Sequence, residues 1–420
     1  MCLQRFPKTY PEKCQHFQWK PIVMRFAVAL GMAFGLMAPP IQGEEQIQSA
    51  AHTPIRNDGN IVAEISVATQ GDLLLVPVTI GGRKVKFALD TGAVATVLDV
   101  SVARQLGPLT PSQKNYSADF PEMFQLPEAI IDGSDLHLTG DVACLDLSGM
   151  RIASGHDIGG LIGMNFLKRH VIQVDFDRGW LRFLKPATVD LPNGTLMSRD
   201  KFNRPMLGVE FIAGRMTSML IDTGMSAPGI GEVNQTLFNE LVADYRVTIK
   251  GPAARTATVT GELIGRKGKL DRFQFGGFEH EQLGIREGTV NAVGLNYLSR
   301  YAITMDFPND MLYLEKSNRF AAKTAFDKSG LVVLRFDGKT KVEKVHHDGP
   351  AFALGIRAGD EIIRVAGEKA EAYTMLQLRR LLARENQHVH LVVRHGHEVR
   401  ECDLLLKDWQ LESTNETRMH

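Results

Sequence analysis

The chain has 420 residues, 44% hydrophobic and 23% charged, which is room for two or three globular domains and excludes disordered or fibrous classes. Its 48 basic side chains balance 48 acidic ones, so no net field marks a nucleic-acid binder or a cationic membrane-surface protein. Any partner must be recognised at a local site.

In chain order, the first feature is Met24-Arg25, an apolar run from Phe26 to Ala38, then Pro39-Pro40 and Gly43. A basic start, a short apolar core and a breaker read as a secretory signal peptide, so residues 1–43 are expected to be a leader. The run falls short of the ~20 residues that span a bilayer, and an uncleaved anchor is the alternative. The protein is therefore expected to be exported, to the periplasm or the cell exterior. Cys2 and Cys14 fall in the leader. Cys144 and Cys402 have no CxxC neighbour or ligand cluster and are expected to be buried structural thiols.

The chain then repeats itself. LLLVPVTIGGRKVKFALDTGA (Leu73 to Ala93) has a counterpart in PMLGVEFIAGRMTSMLIDTGM (Pro205 to Met225), each a predicted β-hairpin running into Asp-Thr-Gly. Downstream, LIGMNFLKRHVIQVDF (Leu161 to Phe176) matches AVGLNYLSRYAITMDF (Ala292 to Phe307) at nearly the same distance from the Asp. Two tandem all-β units follow, at 60–190 and 191–320, with the linker near Val189 to Asp200, where Pro192, Asn193 and Gly194 supply turn chemistry.

A third unit, 325–408, has a different pattern. Two strands, a short helix ending at Gly355, the turn Arg357-Ala358-Gly359-Asp360 and a β-branched strand precede TMLQLRRLLARE (Thr374 to Glu385), whose apolar residues share one helical face. A closing hairpin completes a small α+β module. Its histidine pairs His346-His347, His388/His390 and His395/His397 lack an acidic or Cys complement and are expected to be surface decoration, so no metal site is predicted.

A single Asp-Thr-Gly is ordinary turn chemistry. Two in equivalent places permit more: if the units pack about a pseudo-two-fold axis, Asp90 meets Asp222, and two adjacent carboxylates share one proton. The ionised one takes a proton from a bound water while the protonated one polarises a carbonyl, which hydrolyses an amide without a metal or a covalent intermediate. Gly92 and Gly224 let the backbone turn tightly, the Thr91 and Thr223 hydroxyls can bond across the axis, and Gly163 and Gly294 permit close approach beneath each loop.

The residues ALDTGA with LIGMNFL, and LIDTGM with AVGLNYL, resemble the paired signatures of retropepsin-like aspartic proteases, the superfamily of retroviral proteases and two-lobed pepsins. The resemblance covers residues 60 to 318. It implies Asp90 and Asp222 as the catalytic dyad, an extended peptide or unfolded protein as substrate, no cofactor, a β-barrel-like lobe per repeat, and a flap hairpin. The flap of the second unit is expected at Thr256 to Leu270, and the stretch from Asn115 to Ala129 in the first shows no clear flap. Ala93 and Met225, following the triplets, cannot donate to the dyad through their side chains, which predicts a raised carboxyl pKa and a mildly acidic to near-neutral optimum.

VHHDGPAFALGIRAGDEIIRVAGEKA resembles the core of PDZ domains appended to bacterial envelope proteases. That implies peptide capture by strand addition, with Ser329, Gly330 and Leu331 as the carboxylate-binding loop and a groove completed by the helix from Thr374. That loop departs from the usual Gly-Leu-Gly-Phe, and a structural or regulatory role for the module is the alternative to peptide binding. The expected fold is mainly β: two tandem retropepsin-like acid-protease β-barrel lobes plus a small α+β PDZ domain. The expected protein is a monomeric aspartic endopeptidase; the alternative is a catalytically inactive envelope peptide-binding protein.

Overall fold

Strands form where side chains alternate between a buried and an open face: Val76, Val78 and Ile80 line one side of Leu75–Ile80, and Leu207, Val209 and Phe211 one side of Pro205–Ile212. The computed structural model describes residues 60–116, 120–186, 191, 193–251, 253–258 and 261–409. The leader expected at 1–43 lies outside the described residues.

The chain is mostly β. In each lobe a hairpin delivers the Asp-Thr-Gly triplet: Leu75–Ile80 with Arg83–Leu89, and Pro205–Ile212 with Arg215–Asp222. The second strand ends in three consecutive buried residues, Phe87, Ala88 and Leu89 or Met219, Leu220 and Ile221, because its last residues are covered on both faces. A short strand slots beside each: Gly160–Ile162 runs parallel to Arg83–Leu89 and antiparallel to Thr96–Asp99. Ala292–Gly294 repeats this between Arg215–Asp222 and Gly231–Asn234. The carboxylate thus sits at the end of a strand wedged into an eight-stranded sheet, one such sheet per lobe.

Seven short helices punctuate the described residues. In the first lobe α1 (Val100–Leu106) follows the strand after the triplet, α2 (Ser148–Ser154) precedes Gly160–Ile162, and α3 (Met164–Leu167) follows it. In the second lobe α4 (Gln235–Ala243) is capped by Asn234, which accepts from the Leu237 N–H, and α5 (Leu295–Leu298) corresponds to α3. The third unit holds α6 (Pro350–Ala353) and α7 (Met375–Leu382).

A six-stranded sheet joins the lobes, in the order Ile61–Ser66, Trp180–Leu184, Val171–Asp175, Tyr301–Asp306, Met311–Lys316, Thr195–Leu196. Its two central strands come one from each lobe and pair antiparallel, with a Gln173 to Thr304 side-chain hydrogen bond of 3.0 Å. One hydrophobic core runs through both lobes. The linker is not plain turn: Thr195–Leu196 and Ser198–Arg199 are short strands, the first closing the edge of the shared sheet.

The PDZ unit has its own core, a sheet ordered Leu331–Phe336, Lys339–Val345, Glu361–Val365, Gln387–His395, Glu398–Leu406, and α7 against its first strand. A Thr374–Gln377 capping box starts α7. Three of the suspect histidines pair with acids: His388 with Asp403 (2.7 Å), His390 with Glu401 (3.5 Å) and His395 with buried Asp360 (2.6 Å). Of the two cysteines expected to be buried, Cys402 is and Cys144 is only half-buried; neither is in a disulfide. Cys144 lies on a short strand whose last two residues are partly open.

Candidate active site

The two Asp-Thr-Gly loops meet. A Cβ placed on Gly92 would fall 2.6 Å from the Asp222 carboxyl carbon, and one on Gly224 would fall 2.4 Å from that of Asp90. Each glycine therefore exists to let the opposite carboxylate approach its own backbone, and any side chain there would push the pair apart. Beneath the carboxylates the threonines cross over. Thr91 Oγ1 donates to the Ile221 carbonyl (2.6 Å) and accepts from the Thr223 N–H (3.0 Å). Thr223 Oγ1 donates to the Leu89 carbonyl (2.9 Å) and accepts from the Thr91 N–H (3.0 Å). Both threonines are buried, so these four bonds lock the loops in a low-dielectric setting where an unmade bond is costly.

Backbone N–H groups orient each carboxylate. Gly92 and Ala93 donate to Asp90 Oδ1 (2.8 and 3.0 Å), and Gly224 donates to Asp222 Oδ1 (2.8 Å). Ala93 thus supplies through its backbone what its side chain lacks. Those bonds favour ionisation, but burial, followed by the neighbouring Asp222 charge, wins at Asp90 and pushes it up to about 8. Burial also raises Asp222, opposed by its backbone donors and by the Arg204 guanidinium. The pair therefore retains a proton up to about pH 8, and Arg204 draws the negative charge toward Asp222.

The bracing glycines stand where the repeat places them. A Cβ on Gly163 would meet the Ala95 carbonyl at 2.4 Å, and one on Gly294 the Met225 oxygen at 2.7 Å. The backbone bonds there also correspond: Met164 N–H to the Ala93 carbonyl (2.8 Å), and Leu295 N–H to the Met225 carbonyl (2.7 Å). The Asn of each shared frame, to which the sequence reading gave no role, fastens the strand or loop behind the triplet. Asn165 Oδ1 accepts from the Thr96 N–H and hydroxyl, and Asn296 Oδ1 from the Gly229 N–H.

Three further residues were not foreseen. Arg204 is held by Asp200 (2.7 Å) and reaches the Gly92 carbonyl of the opposite lobe at 3.4 Å. Phe202 beside it faces Phe120, whose ring centroid is 6.3 Å away, so the irregular stretch of the first lobe closes on this corner of the site. Glu232 is a buried carboxyl where the first lobe has Val97; burial raises its pKa and Arg286 opposes. The only advance signal was the unequal residue at corresponding positions of the repeat.

The second-lobe hairpin pairs Ala254–Thr258 with Gly261–Gly265. It starts two residues before the expected flap and ends sooner, because Lys267 onward pairs with Phe278–Gly288 instead. At the PDZ loop, Ser329 and Gly330 N–H donate to Asp327 (3.1 and 2.8 Å), and Leu331 N–H donates to Ser329 Oγ (3.0 Å).

Comparison with known proteins agrees with this architecture. Residues 76–169 match the family described as "gag-polyprotein putative aspartyl protease", and residues 341–395 match the PDZ domain family. The chain thus carries an aspartyl-protease-like domain followed by a PDZ domain. No curated protein matches. Among solved structures, a photosystem II D1 C-terminal processing protease aligns at 23% identity and a TM-score of 0.19 over 23% of this chain. The aligned part spans about a quarter (26%) of that structure.

Proposed function

We propose that the protein is an aspartic endopeptidase that hydrolyses extended polypeptides at the Asp90–Asp222 pair. The observation that carries this reading is reciprocal packing: each triplet's glycine admits the other lobe's carboxylate, and the threonines bond across. With Arg204 favouring charge on Asp222, that carboxylate takes the proton of an attacking water, and Asp90 in its protonated form hydrogen-bonds the scissile carbonyl. Asp90 passes its proton to the carbonyl oxygen to give the gem-diol, which collapses as Asp222 gives the water-derived proton to the leaving nitrogen and a diol hydroxyl returns a proton to Asp90, so the dyad is again in its one-proton state. The hairpin at 254–265 is the flap of this reading, and the leader makes the protein an exported enzyme.

The test is hydrolysis of a mixed peptide library by the chain without residues 1–43, alongside Asp90→Asn and Asp222→Asn. Cleavage lost in both variants, with far-UV circular dichroism unchanged, is the expected result. Cleavage that survives either substitution would overturn the shared dyad, and an inert parent that retains peptides would make this a binding protein.

A further inference from the structure

The two lobes differ at one conspicuous place. Between the strand Phe278–Gly288 and Ala292–Gly294 the second lobe has only residues 289–291, whereas the first lobe inserts 146–159, which carry α2, before Gly160–Ile162. This insertion lies against three things at once: strand Leu331–Phe336 and helix α7 of the PDZ unit, and strand Ala254–Thr258 of the second-lobe hairpin.

Leu331–Phe336 is the edge strand of the PDZ sheet, and its free side with α7 is the groove in which such modules add a peptide strand. That groove is filled from within. Arg379 of α7 donates to the Val333 carbonyl of the edge strand (3.3 Å) and to the Ala153 carbonyl at the end of α2 (2.7 Å). Gly155, in the left-handed region at φ 74°, caps α2 so closely over buried Met375 that a Cβ would stand 2.6 Å from its Cγ. The neighbouring Arg380 donates to the Gln70 carbonyl (2.6 Å) and side chain (3.0 Å), adding a second tie to the first lobe.

The carboxylate loop is likewise engaged inwardly. Its N–H groups are taken by Asp327 and by Ser329 Oγ, and the Ser329 hydroxyl also donates to Asp327 (2.6 Å). Burial raises the pKa of the Asp327 carboxyl, opposed by these hydrogen bonds and by the charge of Lys267 from the second-lobe strand that follows the hairpin.

We propose that the PDZ groove is a cis receptor for the α2–Gly155 insertion, bracing the first lobe against the 254–265 hairpin, and that a peptide enters only by displacing α2 and thereby loosening that hairpin. Because Asp327 and Ser329 already take the loop's N–H donors, the entering ligand is an extended peptide read along its backbone, with no requirement for a free C-terminal carboxylate. The reading of the hairpin as a flap rests on the proposed protease, but the groove's occupancy and its coupling to the hairpin do not.

The test uses the full chain carrying Asp90→Asn, so that peptides survive, with Gly155→Leu to wedge the groove and Arg379→Ala as a milder second variant. Hydrogen exchange read by mass spectrometry is expected to quicken at least 10-fold at both 148–154 and 254–258 in each variant, with the PDZ core strands unchanged. Faster exchange in α2 alone, or in neither segment, overturns the coupling. In fluorescence polarisation with a decapeptide library, each variant is expected to bind at least 10-fold more tightly than the parent, equally for free and amidated C-termini. A parent that binds as tightly as the variants overturns the cis occupancy, and a strong preference for the free carboxylate overturns the assignment of Asp327.

Discussion

At the scale of the residue, Asp90 is costly to the fold and suited to the proposed chemistry for one reason: it is buried beside a second carboxylate. The native pair retains a proton that the unfolded chain releases near pH 3.8, since Asp90 is raised to about 8. Between those values the native state binds more protons than the unfolded state, so the Asp90 contribution makes stability fall as pH rises, and it levels off above about 8. Asp90→Asn keeps the shape and removes the titration. Its urea midpoint, relative to the parent, is therefore expected to rise progressively from pH 4 to pH 8, and a difference that stays flat or narrows would contradict a raised Asp90. Arg204 acts on the same pair from outside the triplets. Its role was not legible in the sequence, because a guanidinium eighteen positions before Asp222 becomes its neighbour only when the hairpin folds back.

At the scale of the element, the device is a short strand pushed between two others, with a glycine at its end tight against the loop that carries the acid. Gly294→Ala would drive a methyl into the Met225 carbonyl oxygen, and Gly163→Ala into the Ala95 carbonyl; neither obstacle is a flexible side-chain tip. A displacement of the loop by about 1 Å costs roughly 100-fold in rate. Each variant is accordingly expected to lose kcat by that order with far-UV circular dichroism preserved, and retained kcat would show that the loops are not braced from beneath. These strands were legible because the chain writes them twice: LIG and AVG, each followed by an apolar residue and then Asn, an aromatic and Leu. Helix α2 was not, since SGMRIAS occurs once and has no apolar period, and neither were the hairpin's bounds, which depend on Lys267 choosing Phe278–Gly288 as its partner. Repetition exposes what both lobes share; what one lobe adds is fixed by tertiary contact.

At the scale of the whole molecule, the question is whether one chain supplies both halves of its site. The shared sheet answers through its centre, where Val171 to Val174 pair with Asp306 to Ile303 and the cores of the lobes run together. Pairing of this kind joins the two lobes strand to strand within one chain, so those two edges are not open to another chain. Mixing Asp90→Asn with Asp222→Asn, unfolded together and refolded, separates the possibilities. Lobes that paired between chains would reunite an intact Asp90 with an intact Asp222 in mixed dimers and recover about a quarter of parental activity. Pairing within the chain leaves every molecule with one asparagine in its only site, so the refolded mixture is expected to stay inactive and the active parent to sediment as a monomer. Recovered cleavage would move the second half of each site onto a partner chain, and the linker strands Thr195–Leu196 and Ser198–Arg199 would then be the hinge of the exchange.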